Sequence, residues 1–220
     1  MYDVIVIGGG AAGMMAVLAA AEAGVSAAII AKDPIGGGNT RMSVGMTACA
    51  GLDQDAPEDF IADILRSGEG LCRQSLVETL VNDSREIISR VEAMGHTFLR
   101  NEEGFLTGSV IARVGGHTNP RTLQSSGKGI GLTQVLRSAV YAGPIHRYEE
   151  VMVRSLLLEK GKVCGVRILD LTNAMESNLY ANAVVLATGG GGWLFHPQTT
   201  NNRGSCGDGY VLAHEAGAAL

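Results

Sequence analysis

A glycine run directly after the first strand-like segment is the feature that most constrains the fold of this chain. The segment DVIVI is a short β-branched run of the kind that forms a buried strand. Gly8, Gly10 and Gly13 follow it in the spacing G-x-G-x-x-G. Residues 11–23 are rich in alanine, methionine and leucine, which favours a helix, and a second apolar run covers residues 25–31. The pattern predicts a β-α-β unit at the N-terminal end of the chain.

Each glycine of this spacing has a physical role. Gly8 permits the tight turn, Gly10 lets a pyrophosphate approach the backbone, and Gly13 lets the helix pack close to the strand. The first helical residues, Ala11 and Ala12, belong to a helix N-terminus, where free N–H groups and partial positive charge favour phosphate. The turn therefore predicts a bound dinucleotide.

The end of the second predicted strand argues against a simple NAD site. The acidic residue that binds a ribose is expected about twenty residues after the glycines. That position is Ala31, followed by Lys32, and Asp33 lies just beyond. Further along, an antiparallel meander beginning near residue 151 leads into VVLATGG, a second strand that ends in glycine. This layout is typical of two-part FAD-binding domains.

Composition excludes several other classes of protein. Hydrophobic residues make up 46% of the chain and charged residues 18%, which indicates a packed core and excludes disorder. With a net charge of −5 and no basic stripe carrying aromatic residues, no nucleic-acid partner is expected. No apolar run is long enough to predict a membrane-spanning helix, and no signal peptide is recognised, so we expect a cytoplasmic location.

The four cysteines are widely spaced and include no CxxC pair, which argues against a zinc site or an iron–sulfur cluster. We expect free core thiols in a reducing compartment. His96, His146 and His214 have no partner at metal-ligand spacing, so no metal site is predicted.

The remaining pattern predicts an α/β fold with a parallel sheet, an antiparallel β-meander and a helical insertion. Residues 32–56 are expected to form a long irregular loop, as are the turn-rich residues 96–127. Helices are predicted from Pro57, over residues 75–95 and 129–142, and from near Asp208 to residue 220. We expect residues 1–220 to form one FAD-binding domain.

Five stretches make a family resemblance specific. They are DVIVIGGGAAG, AKDPIGGGNTRMSVGM, RVGGHTNPR, AVVLATGG and TTNNRGSCGDGYVLAHEAGA. In order and spacing they resemble the flavoprotein family of succinate dehydrogenase and fumarate reductase, which includes L-aspartate oxidase and the soluble fumarate reductases. The resemblance also explains Ala31-Lys32, since one branch of this family ends its second strand in Ser-Lys and lacks the ribose acid.

The resemblance implies a set of FAD-binding positions. They are Gly8, Gly10, Ala11, Ala12, Gly13, Ala31, Lys32, Gly38, Asn39, Thr40, Met42, Ser43, Gly45, Ala187, Thr188, Gly189 and Asp208. Asp208 matches a family aspartate that contacts FAD, although an aspartate before a helix also acts as an N-cap. Asn39 stands where respiratory members carry a histidine bonded covalently to the flavin, so the FAD is expected to be noncovalent. Met46 replaces the second glycine of a family pair and would crowd the backbone there.

By the same resemblance the full protein transfers hydride between flavin N5 and a dicarboxylate-like substrate, with an electron-transfer subunit as a further partner. The family places its catalytic residues after the GDG helix, in a cap domain and a returning segment. The catalytic residues are therefore unknown here, and we expect an incomplete domain. His196-Pro197 precedes the TTN motif and is not the substrate-binding segment of the family. An L-aspartate-oxidase-like enzyme and a non-catalytic FAD-binding module remain alternatives.

Other residues have a functional and a structural interpretation. His117 could face a substrate carboxylate together with Arg113 and Arg121, but a loop histidine bonded to the backbone is the commoner case. Trp193 and Phe195 are expected to lie in the core or on a cap-facing surface, and Glu149-Glu150 to form a solvated strand start rather than a catalytic acid pair.

Overall fold

A computed structural model describes residues 1–108 and 114–219 of the chain. They divide into two compact units. The first unit comprises Met1–Met42 and Leu136–Leu220, and the second comprises Ser43–Val135.

Strands and helices alternate at the start of the chain and give way to a long antiparallel stretch. In chain order the described elements are β1 (Tyr2–Ile7), α1 (Ala11–Glu22), β2 (Ala27–Ala31), α2 (Asn39–Met42), β3 (Met46–Ala48), α3 (Pro57–Ser67), α4 (Gln74–Ala93), β4 (Thr122–Gln124), α5 (Lys128–Ala142), β5 (His146–Glu149), β6 (Val151–Glu159), β7 (Lys162–Asp170), β8 (Glu176–Leu186), a 3-10 helix (Gly192–Phe195) and α6 (Asp208–Glu215).

Six described strands of the first unit form one sheet in the order β5-β2-β1-β8-β7-β6. The first four are parallel to one another, and β6, β7 and β8 are antiparallel neighbours. The strand β8 belongs to both parts, because Glu176–Tyr180 pairs antiparallel with β7 and Ala181–Leu186 pairs parallel with β1. The predicted fold class, a parallel sheet with an antiparallel meander and a helical insertion, is confirmed.

The core of the first unit follows from the apolar runs of the sequence. All five residues of β2 are buried, and Ile5 and Val6 of β1 have no exposed surface. Helix α1 packs on these strands through Met14 and Val17, which are also fully buried. Since burial of an aliphatic side chain stabilises a protein by about 1.5–3 kcal/mol, these strands form the most stable part of the sheet.

The second unit contains the two predicted insertion helices. Pro57 opens α3, with Glu58 in its first turn, where a negative charge interacts favourably with the helix dipole. Phe60 of α3 packs in one cluster with Val77 and Val81 of α4. The short strands β3 and β4 pair antiparallel beside a second cluster around Leu123.

The structure differs from the sequence prediction in its shortest elements. β3, β4 and α2 lie within regions that were expected to be irregular, because three or four residues carry no readable period. β5 was also missed: Glu150, with a φ of 56°, separates it from β6. The last helix ends at Glu215 rather than continuing to residue 220, because Gly217 adopts a φ of 87° and terminates it.

Among the described residues, no helix has the length and apolar character needed to cross a bilayer.

Candidate functional site

Three parallel strands of the first unit end side by side at one edge of the sheet. The backbone N–H of Gly8 donates to the carbonyl of Ile30 over 2.8 Å, and that of Ala187 donates to the carbonyl of Ile7, also over 2.8 Å. In the sheet, β2 lies next to β1 on one side and β8 lies next to β1 on the other side. This is the switch point of an open parallel sheet, the position at which such sheets bind ligands.

A cavity of about 250 Å³ lies at this edge. It is lined by thirteen of the seventeen residues that the sequence assigned to the cofactor: Gly8, Gly10, Ala11, Ala12, Ala31, Lys32, Gly38, Asn39, Thr40, Ala187, Thr188, Gly189 and Asp208. The structure thus brings together residues from the two ends of the chain in one concave site.

Two glycines of the fingerprint serve the packing of the protein itself. Gly8 has a φ of 119°, and a Cβ placed there would lie 2.1 Å from the carbonyl oxygen of Ala187. A Cβ at Gly13 would lie 1.8 Å from the carbonyl oxygen of Gly8. These glycines let β8 and α1 approach the end of β1, and Gly13 does not line the cavity.

Other glycines keep the cavity open. A Cβ at Gly10 would meet only the hydroxyl of Thr40, at 3.5 Å, and a Cβ at Gly38 or Gly189 would meet no atom within 4 Å. The backbone at these positions is accessible to a ligand, and Gly10 adjoins the N-terminus of α1. This arrangement suits the extended, diphosphate-containing FAD that the sequence predicts.

An ion pair joins two elements at the cavity wall. The Nζ atom of Lys32 lies 2.5 Å from Oδ2 of Asp208, and each side chain is about a quarter exposed. Asp208 is the first helical residue of α6, and Gly207 is its N-cap. The N-cap interpretation of Asp208 is therefore wrong, since its carboxylate is held by Lys32 instead of capping the helix.

The short helix α2 contributes two polar side chains. The Thr40 hydroxyl accepts a hydrogen bond of 3.1 Å from the N–H of Ala11, the first residue of α1. The Asn39 amide donates to Oδ1 of Asn201 over 2.7 Å and to the Ser205 hydroxyl over 3.1 Å. Its Oδ1 accepts from the backbone N–H of Asn202 over 2.7 Å.

The remaining predicted positions lie outside the cavity lining. Met42 is 59% exposed, and its sulfur accepts a hydrogen bond from Asn202. Ser43 and Gly45 belong to the second unit. There a Cβ at Gly45 would lie 2.6 Å from the Cα of Lys128, so this glycine is required for packing. The role of these three residues in cofactor binding stays a prediction.

Sequence reasoning missed two parts of the cavity wall. Val151 and Val153 of β6 form part of its apolar side, although nothing in their local sequence marks them. Asn202, Gly204 and Ser205 form another part. These three stand inside the TTNNRGSCGDG motif, so their polar and small side chains beside the aspartate were an available signal.

The candidate substrate group of the second unit is instead a buried ion-pair network. Arg121 has no exposed surface and makes two hydrogen bonds, of 2.9 and 2.7 Å, to the carboxylate of Asp55. A third, of 2.5 Å, goes to Asp63. Arg121 is thus unavailable to a substrate. Nδ1 of His117 lies 3.3 Å from Nη1 of Arg121, so the histidine contacts this side chain. Arg113 lies outside the described residues.

The ionisation of this network reflects its burial. Burial raises the pKa of Asp63, but the hydrogen bonds from Arg121 and its neighbours outweigh it and hold that pKa well below its usual range. Burial lowers the pKa of His117, and the charge of Arg121 lowers it further. At pH 7 the Asp63 carboxyl is therefore ionised and the His117 imidazole is neutral.

Other candidates from the sequence have structural contacts. Glu149 is not a solvated strand start, since its carboxylate accepts hydrogen bonds from the N–H of Ile35 and from the hydroxyl of Tyr141. His96 is buried and bonds to Ser125 over 3.0 Å.

The remaining aromatic and thiol positions range from buried to exposed. Phe195 is 71% exposed, and Trp193 packs against His196. The four cysteines are free, as expected, but only Cys49 is a core thiol. In the described part of the chain no group of three or more His, Cys, Asp or Glu side chains could hold a metal.

Comparison with known proteins places this site among flavoproteins. The FAD binding domain family matches residues 3–220. L-aspartate oxidase of Streptomyces coelicolor is 36% identical over 99% of this chain and 38% of its own length. The fumarate reductase flavoprotein subunit of Mycobacterium tuberculosis is 33% identical over the whole chain, again 38% of its own length.

Solved structures agree with these sequence relatives. The Mycobacterium smegmatis Sdh1 complex has a TM-score of 0.90 and 29% identity, with 98% of this chain and 39% of that chain covered. E. coli quinol fumarate reductase has the same score and identity over 97% of this chain and 37% of that chain. The chain spans less than half the length of the curated relatives that it matches.

Proposed function

Because the chain belongs to the FAD binding domain family, we propose that it binds FAD noncovalently as part of a flavin-dependent oxidoreductase of the fumarate reductase and succinate dehydrogenase type. The observation that carries this proposal is the glycine-lined cavity at the switch point of the sheet. When bound, FAD would supply hydride transfer at flavin N5. The chain supplies the binding and orientation of the cofactor.

The N-terminus of α1 is the proposed diphosphate site. The N–H groups of the first helical turn have no intrahelical acceptors, and that of Ala11 donates to Thr40. Ala12, which lines the cavity, would offer its N–H group to the diphosphate at the positive end of the helix dipole. Gly10 keeps the approach to this group free of side-chain atoms.

Lys32 and Asp208 provide the charged part of the proposed site. Their pairing neutralises the carboxylate, which would otherwise repel a diphosphate close by. The pair also ties the end of β2 to the start of α6, so that both elements hold the cavity in one shape. Asn39 supports the noncovalent mode, since an amide nitrogen is not a nucleophile.

Flavin binding can be tested by paired glycine substitutions. Gly10→Ala adds a Cβ that the protein tolerates but that stands at the cavity, whereas Gly115→Ala adds a Cβ that meets no atom within 4 Å and lies outside the cavity lining. We expect Gly10→Ala to weaken FAD binding about tenfold or more, equivalent to about 1.4 kcal/mol. Gly115→Ala should bind FAD as the wild type does, by titration of flavin fluorescence.

Failure of the wild-type protein to bind FAD after reconstitution would refute the proposal. Equal FAD affinity in Gly10→Ala and the wild type would remove α1 from the binding site.

The whole-protein activity is proposed from the relatives. Fumarate reductase flavoprotein subunits suggest a dicarboxylate-like substrate and an electron-transfer partner, since their names denote subunits. The 36% identity to an L-aspartate oxidase supports the alternative that the substrate is an amino acid. Anaerobic reduction of the bound flavin in the full-length protein separates these: bleaching by L-aspartate favours the oxidase, and reoxidation of reduced flavin by fumarate favours the reductase.

A bound flavin that L-aspartate does not reduce and that fumarate does not reoxidise would favour the third proposal, a non-catalytic FAD-binding module. For all three we propose a cytoplasmic location, which the four free cysteines support.

A further inference from the structure

Residues 201–205 are attached to α2 by hydrogen bonds to Asn39 and to Met42. Asn39 uses both amide hydrogens and its oxygen in three hydrogen bonds to this segment: to the Asn201 side chain, the Asn202 backbone and the Ser205 hydroxyl. These partners stand 162 to 166 residues from Asn39 in the sequence. The contacts therefore join two distant parts of the first unit.

Both joined parts are walls of the cavity. Gly38, Asn39 and Thr40 line it on the side of α2, and Asn202, Gly204 and Ser205 line it on the side of the segment. Thr40 in turn holds the first N–H of α1. Asn39 and Thr40, which are neighbours in α2, thus attach both the 201–205 segment and the N-terminus of α1 to this short helix.

The segment has its own internal turn. Oδ1 of Asn202 accepts from the N–H of Gly204 over 2.7 Å, and the N–H of Ser205 donates to the carbonyl of Asn202 over 2.9 Å. Hydrogen bonds at the surface of this turn hold it against its neighbours, among them the bond of 3.0 Å from the N–H of Trp193 to the carbonyl of Ser205. Asn39 makes three of them.

We propose that Asn39 is a positioning residue that fastens the 201–205 segment over the cavity and so raises the affinity for FAD. This inference rests on the proposed function and deepens it. The residue at the covalent-linkage position of the family thereby has a different role, which is to close the site through hydrogen bonds to the protein. Asparagine suits this role because its amide offers two donors and one acceptor in a single plane.

Substitutions at position 39 separate the parts of this contact. Asn39→Ala removes all three hydrogen bonds, and Asn39→Asp keeps the acceptor for the Asn202 N–H but loses both donors. Asn182→Ala is the matched control, since it removes an exposed asparagine bonded to Asp3 at 3.0 Å, outside the cavity lining. We expect the Kd for FAD to rise about tenfold in Asn39→Ala and to stay unchanged in Asn182→Ala.

A double-mutant cycle with Ser205→Ala tests whether Asn39 acts through the segment. If it does, the losses of affinity are not additive, because either substitution breaks the same 3.1 Å hydrogen bond. A direct contact between Asn39 and FAD would weaken binding additively with Ser205→Ala, and that result would overturn the inference.

Limited proteolysis provides a readout that does not need FAD. Arg203 is exposed within the segment, so trypsin cleavage after it reports how often the segment opens. We expect faster cleavage at this bond in ligand-free Asn39→Ala than in the wild type or Asn182→Ala. Equal cleavage rates would overturn the fastening role even if FAD binds, whereas faster cleavage in a protein that binds no FAD would refute only the proposed function.

Discussion

Removing Arg121 should destabilise the second unit far more than removing a second arginine that contacts the same carboxylate. Arg121 and Arg66 both donate to Asp63 over 2.5 Å. Arg121 has no exposed side-chain surface, whereas that of Arg66 is 58% exposed. The two side chains therefore differ in burial and in their partners, since Arg121 also bonds to the carboxylate of Asp55.

The expected magnitudes follow from this difference. Arg121→Ala leaves Asp55 and Asp63, which are 1% and 4% exposed, without their main counter-charge. Removing one partner of a buried ion pair destabilises a protein by about 3–5 kcal/mol. An exposed pair contributes about 0–1 kcal/mol, so Arg66→Ala should have a small effect.

The pH dependence gives the result a second signature. In the wild type the lowered pKa of Asp63 contributes stability that is present above the unfolded pKa and lost as the pH falls through the folded pKa. Without Arg121 the lowering of the Asp63 pKa is smaller, because only the hydrogen bonds from Thr118 and Arg66 remain to oppose the effect of burial. The difference in stability between wild type and Arg121→Ala should therefore shrink as the pH falls below about 4, the unfolded pKa of an aspartate, toward the lowered folded pKa.

Urea unfolding followed by far-UV circular dichroism is the appropriate assay, because the network includes α3 and the unit contains the long helix α4. Equal losses in Arg121→Ala and Arg66→Ala, both below about 1 kcal/mol, would refute the dependence on burial. If the difference in the free energy of unfolding between wild type and Arg121→Ala does not change with pH, the ionisation of Asp63 is not its cause.

Three further predictions concern other parts of the chain. Gly13→Ala should prevent α1 from packing on β1 and lower the melting temperature markedly, since its Cβ would lie 1.8 Å from the Gly8 carbonyl oxygen; an unchanged melting temperature would contradict this. Acid denaturation should release all FAD from the polypeptide, because Asn39 offers no nucleophile; flavin fluorescence that stays with the denatured chain would disprove it. Burial lowers the pKa of His96, so stability should decline as the pH falls below about 6.5, and His96→Gln should reduce that slope in urea unfolding at several pH values.

The sequence could predict what local pattern determines. The β-α-β unit was readable because its strands, glycines and helix follow one another within thirty residues. Half of the cavity lining was also readable, since the resemblance fixed each motif by its own residues. The absence of a ribose-binding acid after β2 was also predictable, because the expected position is set by its sequence distance from the glycines and Ala31-Lys32 stands there.

Contacts between distant residues were beyond such reading. Asp55 and Asp63 pair with an arginine 66 and 58 residues away, and no periodicity marks that pairing. Val151 and Val153 reach the cavity because the start of β6 packs in one cluster with buried residues of β1 and β2. Polar networks and returning strands are determined by tertiary packing, which a single sequence shows only through family motifs.

β8 pairs with both β7 and β1 as one continuous strand. The position of the residues that follow it, Ala187–Gly189, therefore depends on the number of residues in the strand. The turn before the strand, around Asn173, can gain residues without altering the pairing of Ala181–Leu186 with β1. A one-residue deletion within β8 would instead slip its register, exchange the two faces of the strand and draw Ala187–Gly189 back by about 3.3 Å. Length variation in this protein should therefore be tolerated at the turn and selected against within the strand.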